Sequence, residues 1–317
     1  MKQYKFVDLF AGCGGLSLGL QQAGFTPWFV NEIVEQFCNT YKYNHELSDD
    51  HYFVGDIADL NQHLDEYKNL LSDITLVCGG PPCQGFSMAN RQRILDDPRN
   101  SLYKQYLIFL QNVRPKFFIM ENVKGMMNKI EEIKENFKEY LGEEYQFDYA
   151  LVKAQDYGVP QNRERIFVIS IRRDGEENFH YNFPKAEKLT LRIADILQDS
   201  EDKTLYISKS LSDGLIRKTN ANEVSSPKII HIGDLPIGAK FAGKQRVFSI
   251  HGISPTLMEN MYKDPKNYGC IPKVVVKNKV RKLSPFECFA LMGVHKEDDY
   301  KLCNSGLKKN KAIQVIR

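Results

Sequence analysis

Apolar and polar positions alternate on two scales along the first 172 residues. Short runs rich in β-branched and aromatic residues read as strands: Lys5 to Phe10, Trp28 to Asn31, His51 to Val54, Ile74 to Cys78, Phe117 to Met120, Tyr149 to Lys153 and Ile166 to Ile171. Amphipathic stretches at Leu16 to Ala23 and Glu35 to Asn44 read as helices between them. This alternation predicts an α/β fold, a doubly wound, mostly parallel sheet with helices on both faces and ligands at the carboxyl ends of the strands. From about Arg173 the pattern degrades into polar sequence with short β-like pieces such as Lys273 to Val276, which predicts a second, smaller and irregular domain. Periodicity returns at RKLSPFECFALMG, Arg281 to Gly293, where Ser284 suits an N-cap, Pro285 the first helical position and Glu287 a capping box. That helix is expected to dock back on the first domain. The expected organisation is therefore 1–172, 173–280 and 281–317.

Composition adds boundaries to this picture. At 317 residues and 42% apolar, the chain can build a real core. No apolar run approaches the roughly 20 residues that span a bilayer, and the N-terminus lacks the regions of a signal peptide, so a cytoplasmic protein without membrane contact is expected. Seven cysteines without CxxC or Cys/His spacing argue against a disulfide framework and against a metal site. Net charge is +3, but residues 203–280 hold 13 Lys/Arg against 5 Asp/Glu, a local excess of +8. Such an excess is either a solvated lysine face or a surface for a polyanion.

Candidate chemistry collects at the predicted strand ends. The first ends in DLFAGCGG, whose glycines Gly12, Gly14 and Gly15 let a backbone approach a ligand closely. The second ends in Asn31-Glu32, an acidic position suited to ribose hydroxyls, and the third in Gly55-Asp56-Ile57, suited to an adenine amino group and an apolar face. Helix-capping carboxylates are the alternative. Because the turn is FxGxG rather than GxGxxG, with Phe10 offering an aromatic face, S-adenosylmethionine fits better than a dinucleotide. The fourth strand runs into GGPPCQGFS, where Pro81 and Pro82 restrict the backbone that presents Cys83. A polar loop with three arginines follows, Ser87 to Asn100, suited to closing over a substrate. Glu121, and the arginines of QNRER, could hold and protonate a heterocycle while a thiol adds to it.

In order, DLFAGCGG, NE, GDI, GGPPCQGFS, ENVKG, QNRER and RKLSPFECFALMG resemble the motifs of the bacterial cytosine-C5 DNA methyltransferases of restriction-modification systems. The resemblance implies a Rossmann-like methyltransferase sheet followed by a target-recognition domain where the +8 segment lies. It implies that Phe10, Gly12 and Gly14 line the S-adenosylmethionine site and that Glu32 binds the ribose. Ile33 and Ile57 would sandwich the adenine, Asp56 would take its amino group, and Leu102 would lie against the same cofactor. Cys83 is then the nucleophile toward C6 of cytosine, Glu121 holds protonated N3, Arg165 contacts the ring oxygen and Arg163 orders the site. A base rotated out of the duplex is implied, with Ser87, Arg91, Arg93 and Arg99 on a clamp against double-stranded DNA and Thr256 and Leu257 near the DNA. A paired restriction endonuclease is the implied functional partner, and a monomer is the simplest oligomeric expectation.

One departure stands out. The family's final Gly-Asn-Ser and Val-Pro motif is missing from KLCNSGLKKNKAIQVIR, so an incompletely walled cofactor pocket is expected. A frameshift within the codons for NKAIQ, a piece supplied by a second chain, or truncation would each account for it. Two other functions stay open: a tRNA cytosine-C5 methyltransferase, and a DNA-binding protein with impaired catalysis.

Overall fold

The computed structural model describes residues 3–82, 100–174, 180–199, 202–217, 228–236, 245–258 and 271–301. The chain divides into two compact units, residues 1–152 with 164–184, and residues 153–163 with 185–317. In chain order the first unit begins β1 (Lys5–Leu9), α1 (Gly15–Gln22), β2 (Thr26–Glu32), α2 (Glu35–Asn44), β3 (Tyr52–Val54), α3 (Ile57–Gln62), α4 (Lys68–Leu71) and β4 (Leu76–Gly79). It continues with α5 (Asn100–Val113), β5 (Phe117–Val123), α6 (Ile130–Leu141) and β6 (Tyr145–Lys153). The chain then makes a short strand of the second unit, β7 (Gln161–Asn162), and returns for β8 (Glu164–Arg172).

Seven strands form one sheet in the order β3-β2-β1-β4-β5-β8-β6. The pairs from β3 to β5 are parallel, and β8 runs antiparallel to β5. The α/β, mostly parallel sheet expected from the alternation is therefore present. Period-two side-chain alternation sorts its core into two faces. Val7, Leu9, Phe29, Val77, Phe118 and Met120 pack with residues of α3, α5 and α6. On the opposite face Phe6, Leu76 and Cys78 pack with Leu20 of α1, and Val30 with Cys38 and Tyr41 of α2. Winding reverses at β1, which has β2 on one side and β4 on the other, so a crevice opens at the carboxyl ends of β1 and β4.

The second unit holds α7 (Ile193–Ile196), α8 (Lys209–Asp213), β9 (Ile216–Arg217), β10 (His231–Asp234), β11 (Arg246–Phe248), β12 (Ser254–Pro255), β13 (Lys273–Val276), β14 (Lys279–Lys282) and α9 (Pro285–Ala290). Five strands form a sheet in the order β14-β13-β11-β10-β9, and β12 pairs with β7. Helix α9 starts as its local sequence dictates: Ser284 Oγ accepts from Glu287 N at 3.2 Å, and Ser284 N donates to Glu287 Oε2 at 2.7 Å. Glu287 also meets Arg281 at 2.6 Å, an ion pair that is fully buried. Among the described residues no helix is long and apolar enough to cross a membrane.

Candidate active site

The glycine turn joins β1 to α1 at the sheet's winding reversal. Its backbone takes positive φ at Phe10, Gly12 and Gly14, and at Gly14, the N-cap of α1 with φ 87°, a side chain would be strained. Gly14 brings no side-chain cap, so the first-turn amides of α1 face the turn without one. Glu32, at the end of β2, is buried and accepts from Gly12 N and from Val34 N, each at 2.8 Å. The carboxylate therefore braces the turn from the neighbouring strand. Asn31, one residue earlier, donates to the carbonyls of Phe53 at 3.1 Å and Gly55 at 2.9 Å, which fixes the loop after β3 beside it.

That loop carries Asp56, which caps α3 by accepting from Ala58 N at 2.8 Å through Oδ1. Among the described residues its second oxygen takes no hydrogen bond. Ile57 is 1% exposed and belongs to the main core, whereas Ile33 is 62% exposed and presents an open apolar face at the end of β2. Phe10 and Leu102 are half-buried against the same core.

A second cluster forms where β4 and β5 end and β8 begins. Antiparallel pairing sets Glu121 opposite Phe167 and Val123 opposite Arg165. From there Arg165 Nε reaches Glu121 Oε1 at 2.8 Å, in a pair that is about a quarter exposed on each side. Gly80 lies against that carboxylate, since a Cβ at Gly80 would stand 3.1 Å from Glu121 Oε2. The buried Asn122 turns back and donates to the Pro81 carbonyl at 2.9 Å. Gly80, Asn31 and Asn122 lie within or beside the strand-end motifs, but the sequence assigns them no role of their own. For the two asparagines the signal is only adjacency to Glu32 and Glu121, because their partners lie 41 residues away for Asn122 and more than 20 for Asn31.

Cys83 follows Pro82 directly and lies outside the described residues, as do Ser87, Arg91, Arg93 and Arg99. Arg163 belongs to the second unit, where its carbonyl accepts from Ala154 N at 2.9 Å. In that unit the fully buried Gln161 joins three motif segments: its Nε2 donates to Leu291 O at 2.6 Å, its Oε1 accepts from Leu257 N at 3.1 Å, and its backbone pairs with Ser254. Thr256 Oγ1 donates to the Asn162 carbonyl, and the Leu257 side chain is packed in the core with Ile193, Val274 and Cys288. A cavity of about 410 Å³ in the second unit, lined by Asp156, Asn162, Glu187 and Lys228 among others, includes none of the side chains that the resemblance assigns.

Comparison with known proteins extends this geometry. The sequence model of the family described as C-5 cytosine-specific DNA methylase matches residues 4–314. The type II methyltransferase M.HhaI of Haemophilus parahaemolyticus is 32% identical, over 94% of this chain and 85% of its own length. The type II methyltransferase M.FnuDI of Fusobacterium nucleatum is 29% identical, over 99% of this chain and 93% of its own. The structure of the Entamoeba histolytica methyltransferase EhMeth superposes with a TM-score of 0.69 at 16% identity, covering 100% of this chain and 93% of that one, a likeness of fold.

Proposed function

The chain belongs to the C-5 cytosine-specific DNA methylase family, and from that premise we propose that it transfers a methyl group from S-adenosylmethionine to C5 of a cytosine rotated out of double-stranded DNA. It is a DNA cytosine-5-methyltransferase. The observation that carries the finer reading is the Glu121–Arg165 pair against Gly80, with Asn122 fixing Pro81 two residues before Cys83, at the crevice where the glycine turn also lies.

Residues at the first three strand ends fit the methyl donor. Glu32 is held in place by two amides and keeps lone pairs for ribose hydroxyls, Asp56 keeps an unbonded oxygen, and Ile33 offers an apolar face. When bound, S-adenosylmethionine supplies an electrophilic methyl group on a sulfonium. Cys83, as thiolate, would add to C6 of the cytosine while Glu121 holds the proton on N3, so that C5 would gain the electron density to take the methyl group as its bond to the sulfonium sulfur breaks and the sulfur leaves as a neutral thioether. Arg165 holds Glu121 in place and faces the ring oxygen. Loss of the C5 proton then drives out the Cys83 sulfur and leaves 5-methylcytosine.

Residues 173–280 serve as target-recognition domain, the excess of +8 within residues 203–280 supporting phosphate contacts and the loop of Ser87, Arg91, Arg93 and Arg99 closing on the DNA. The protein works in the cytoplasm. The type II relatives support a role in marking the cell's own DNA beside a paired restriction endonuclease.

Incubation with methyl-labelled S-adenosylmethionine and either duplex DNA or tRNA tests this reading. Label at C5 of duplex cytosine, lost in Cys83→Ser, is the expected result. Label in tRNA alone, or undiminished label with Cys83→Ser, refutes it.

A further inference from the structure

Strand β1 reads KFVDL, and the period of two puts Asp8 on the same face as Phe6, where the core calls for an apolar residue. Register confirms the oddity: Asp8 pairs with Val30 on β2 and with Cys78 on β4, and Cys78 pairs with Ile119 on β5. The row across the sheet is Val30, Asp8, Cys78, Ile119, with one carboxyl among three apolar side chains. Asp8 is 1% exposed. Ser17 Oγ of α1 donates to Asp8 Oδ2 at 2.6 Å, Tyr41 OH of α2 lies 2.7 Å from the same Ser17 oxygen, and the Cys78 thiol bonds the carboxyl from β4.

The Asp8–Ser17 bond spans the glycine turn from the strand before it to the helix after it. Glu32 braces the same turn at Gly12 from the other side. Two carboxylates thus hold one turn, and the inner one sits where a valine or isoleucine would fill the row without the desolvation of a charge. Ionised Asp8 is an acceptor only, and it suits neighbours that all present donors: the Ser17 hydroxyl, itself fed by Tyr41, and the Cys78 thiol.

We infer that Asp8 is a positioning residue for the methyl donor: acting through Ser17, its ionised carboxylate sets the turn formed by Phe10, Gly12 and Gly14 in its binding shape. This rests on the donor reading given above. Burial pushes the Asp8 carboxyl up to about 7, with the bonds from Ser17 and Cys78 opposing and Glu32 adding to the rise. The carboxyl therefore titrates near neutrality. The other ionisable groups that face it are Cys78, Glu32 and Tyr106, with Tyr41 behind Ser17. Burial keeps the Cys78 thiol and the Tyr106 hydroxyl neutral through this range.

Calorimetric titration of S-adenosylmethionine into the wild-type chain, Asp8→Asn and Ser17→Ala, at about pH 6 and about pH 8, tests the inference. Wild-type affinity is expected to rise about fivefold to tenfold between the two conditions. Asp8→Asn is expected to bind about tenfold more weakly at the higher pH and to lose the pH response. Ser17→Ala is expected to weaken binding and to lose most of that response, since the hydroxyl through which the carboxylate acts is gone. Asp8→Asn binding as tightly as the wild type at the higher pH, or keeping its pH response, overturns the inference while leaving the donor reading intact. Should Asp8→Asn fail to fold, unchanged affinity in Ser17→Ala overturns it. Absence of binding by the folded wild type under both conditions refutes the donor reading, and the inference with it.

Discussion

Asp8→Asn has a second consequence, for stability, whose size follows from proton linkage. The folded Asp8 carboxyl titrates at about 7 against its ordinary 3.8, so the folded chain binds this proton more tightly than the unfolded one. Between those values the unfolded state carries fewer protons, and stability falls as pH rises, by about 1.4 kcal/mol per unit. Over about three units the loss is about 4 kcal/mol, absent below about pH 4 and complete above about pH 7. His45 works in the opposite direction. Burial lowers it from 6.5 to about 4, so the unfolded chain takes up a proton first and stability is lost as pH falls through that window. In the wild type the two slopes offset each other between about pH 4 and pH 6.5, which hides both. Asparagine at position 8 removes the Asp8 slope and costs about 1 kcal/mol for one poorer hydrogen bond. The variant should therefore be slightly less stable than the wild type near pH 4 and more stable by about 3 kcal/mol near pH 8. Urea melts at both pH values, with unchanged m as a check on two-state behaviour, read the difference. A variant-minus-wild-type difference that is equal at the two pH values refutes the reasoning.

Four further outcomes are expected. His45→Phe, which keeps a ring against Tyr41, should recover up to about 3 kcal/mol of stability near pH 4 relative to its difference from wild type at neutral pH, again by urea melts. Arg281→Met strands the buried Glu287 charge and should cost about 3–5 kcal/mol, much of it recovered when Glu287→Gln is added; no recovery would argue against the ion pair as the cause. Asn122→Ala removes the donor to Pro81 and should cost about 1–3 kcal/mol; in methylation assays it should lower kcat while leaving S-adenosylmethionine affinity unchanged, and an altered affinity would count against its placement. Binding to duplex DNA should weaken with salt by a log–log slope of about −0.9 per phosphate neutralised, and a slope near zero would exclude the basic segment as a phosphate-contacting surface.

The site was legible in the sequence only where its determinants are local. Gly14 at an αL helix cap, Asp56 before α3 and the Ser284–Glu287 capping box each act within three residues, so short-range sequence carries them. Asn122 and Pro81 are 41 residues apart, and Glu121 meets Arg165 only because β8 lies antiparallel beside β5. Nothing in ENVKG or QNRER states that pairing. The sequence also offered Ile33 and Ile57 as a matched pair, yet the fold leaves one open and packs the other into the core.

By itself the sequence determined that this chain builds a mostly parallel α/β sheet, because periods of two and 3.6 in apolar residues are properties of consecutive positions. It also determined where the glycine turn and the helix of Pro285–Ala290 begin. Tertiary structure alone decided the strand order β3-β2-β1-β4-β5-β8-β6 and the reversed direction of β8. It alone decided that Asp8 lies in an apolar row under the turn, bonded to Ser17, rather than at a wet strand edge. The physical reason is the same throughout. Backbone preference and capping are settled among near neighbours, whereas burial, and with it the cost and direction of a proton's movement, depends on which distant strands and helices close around a side chain.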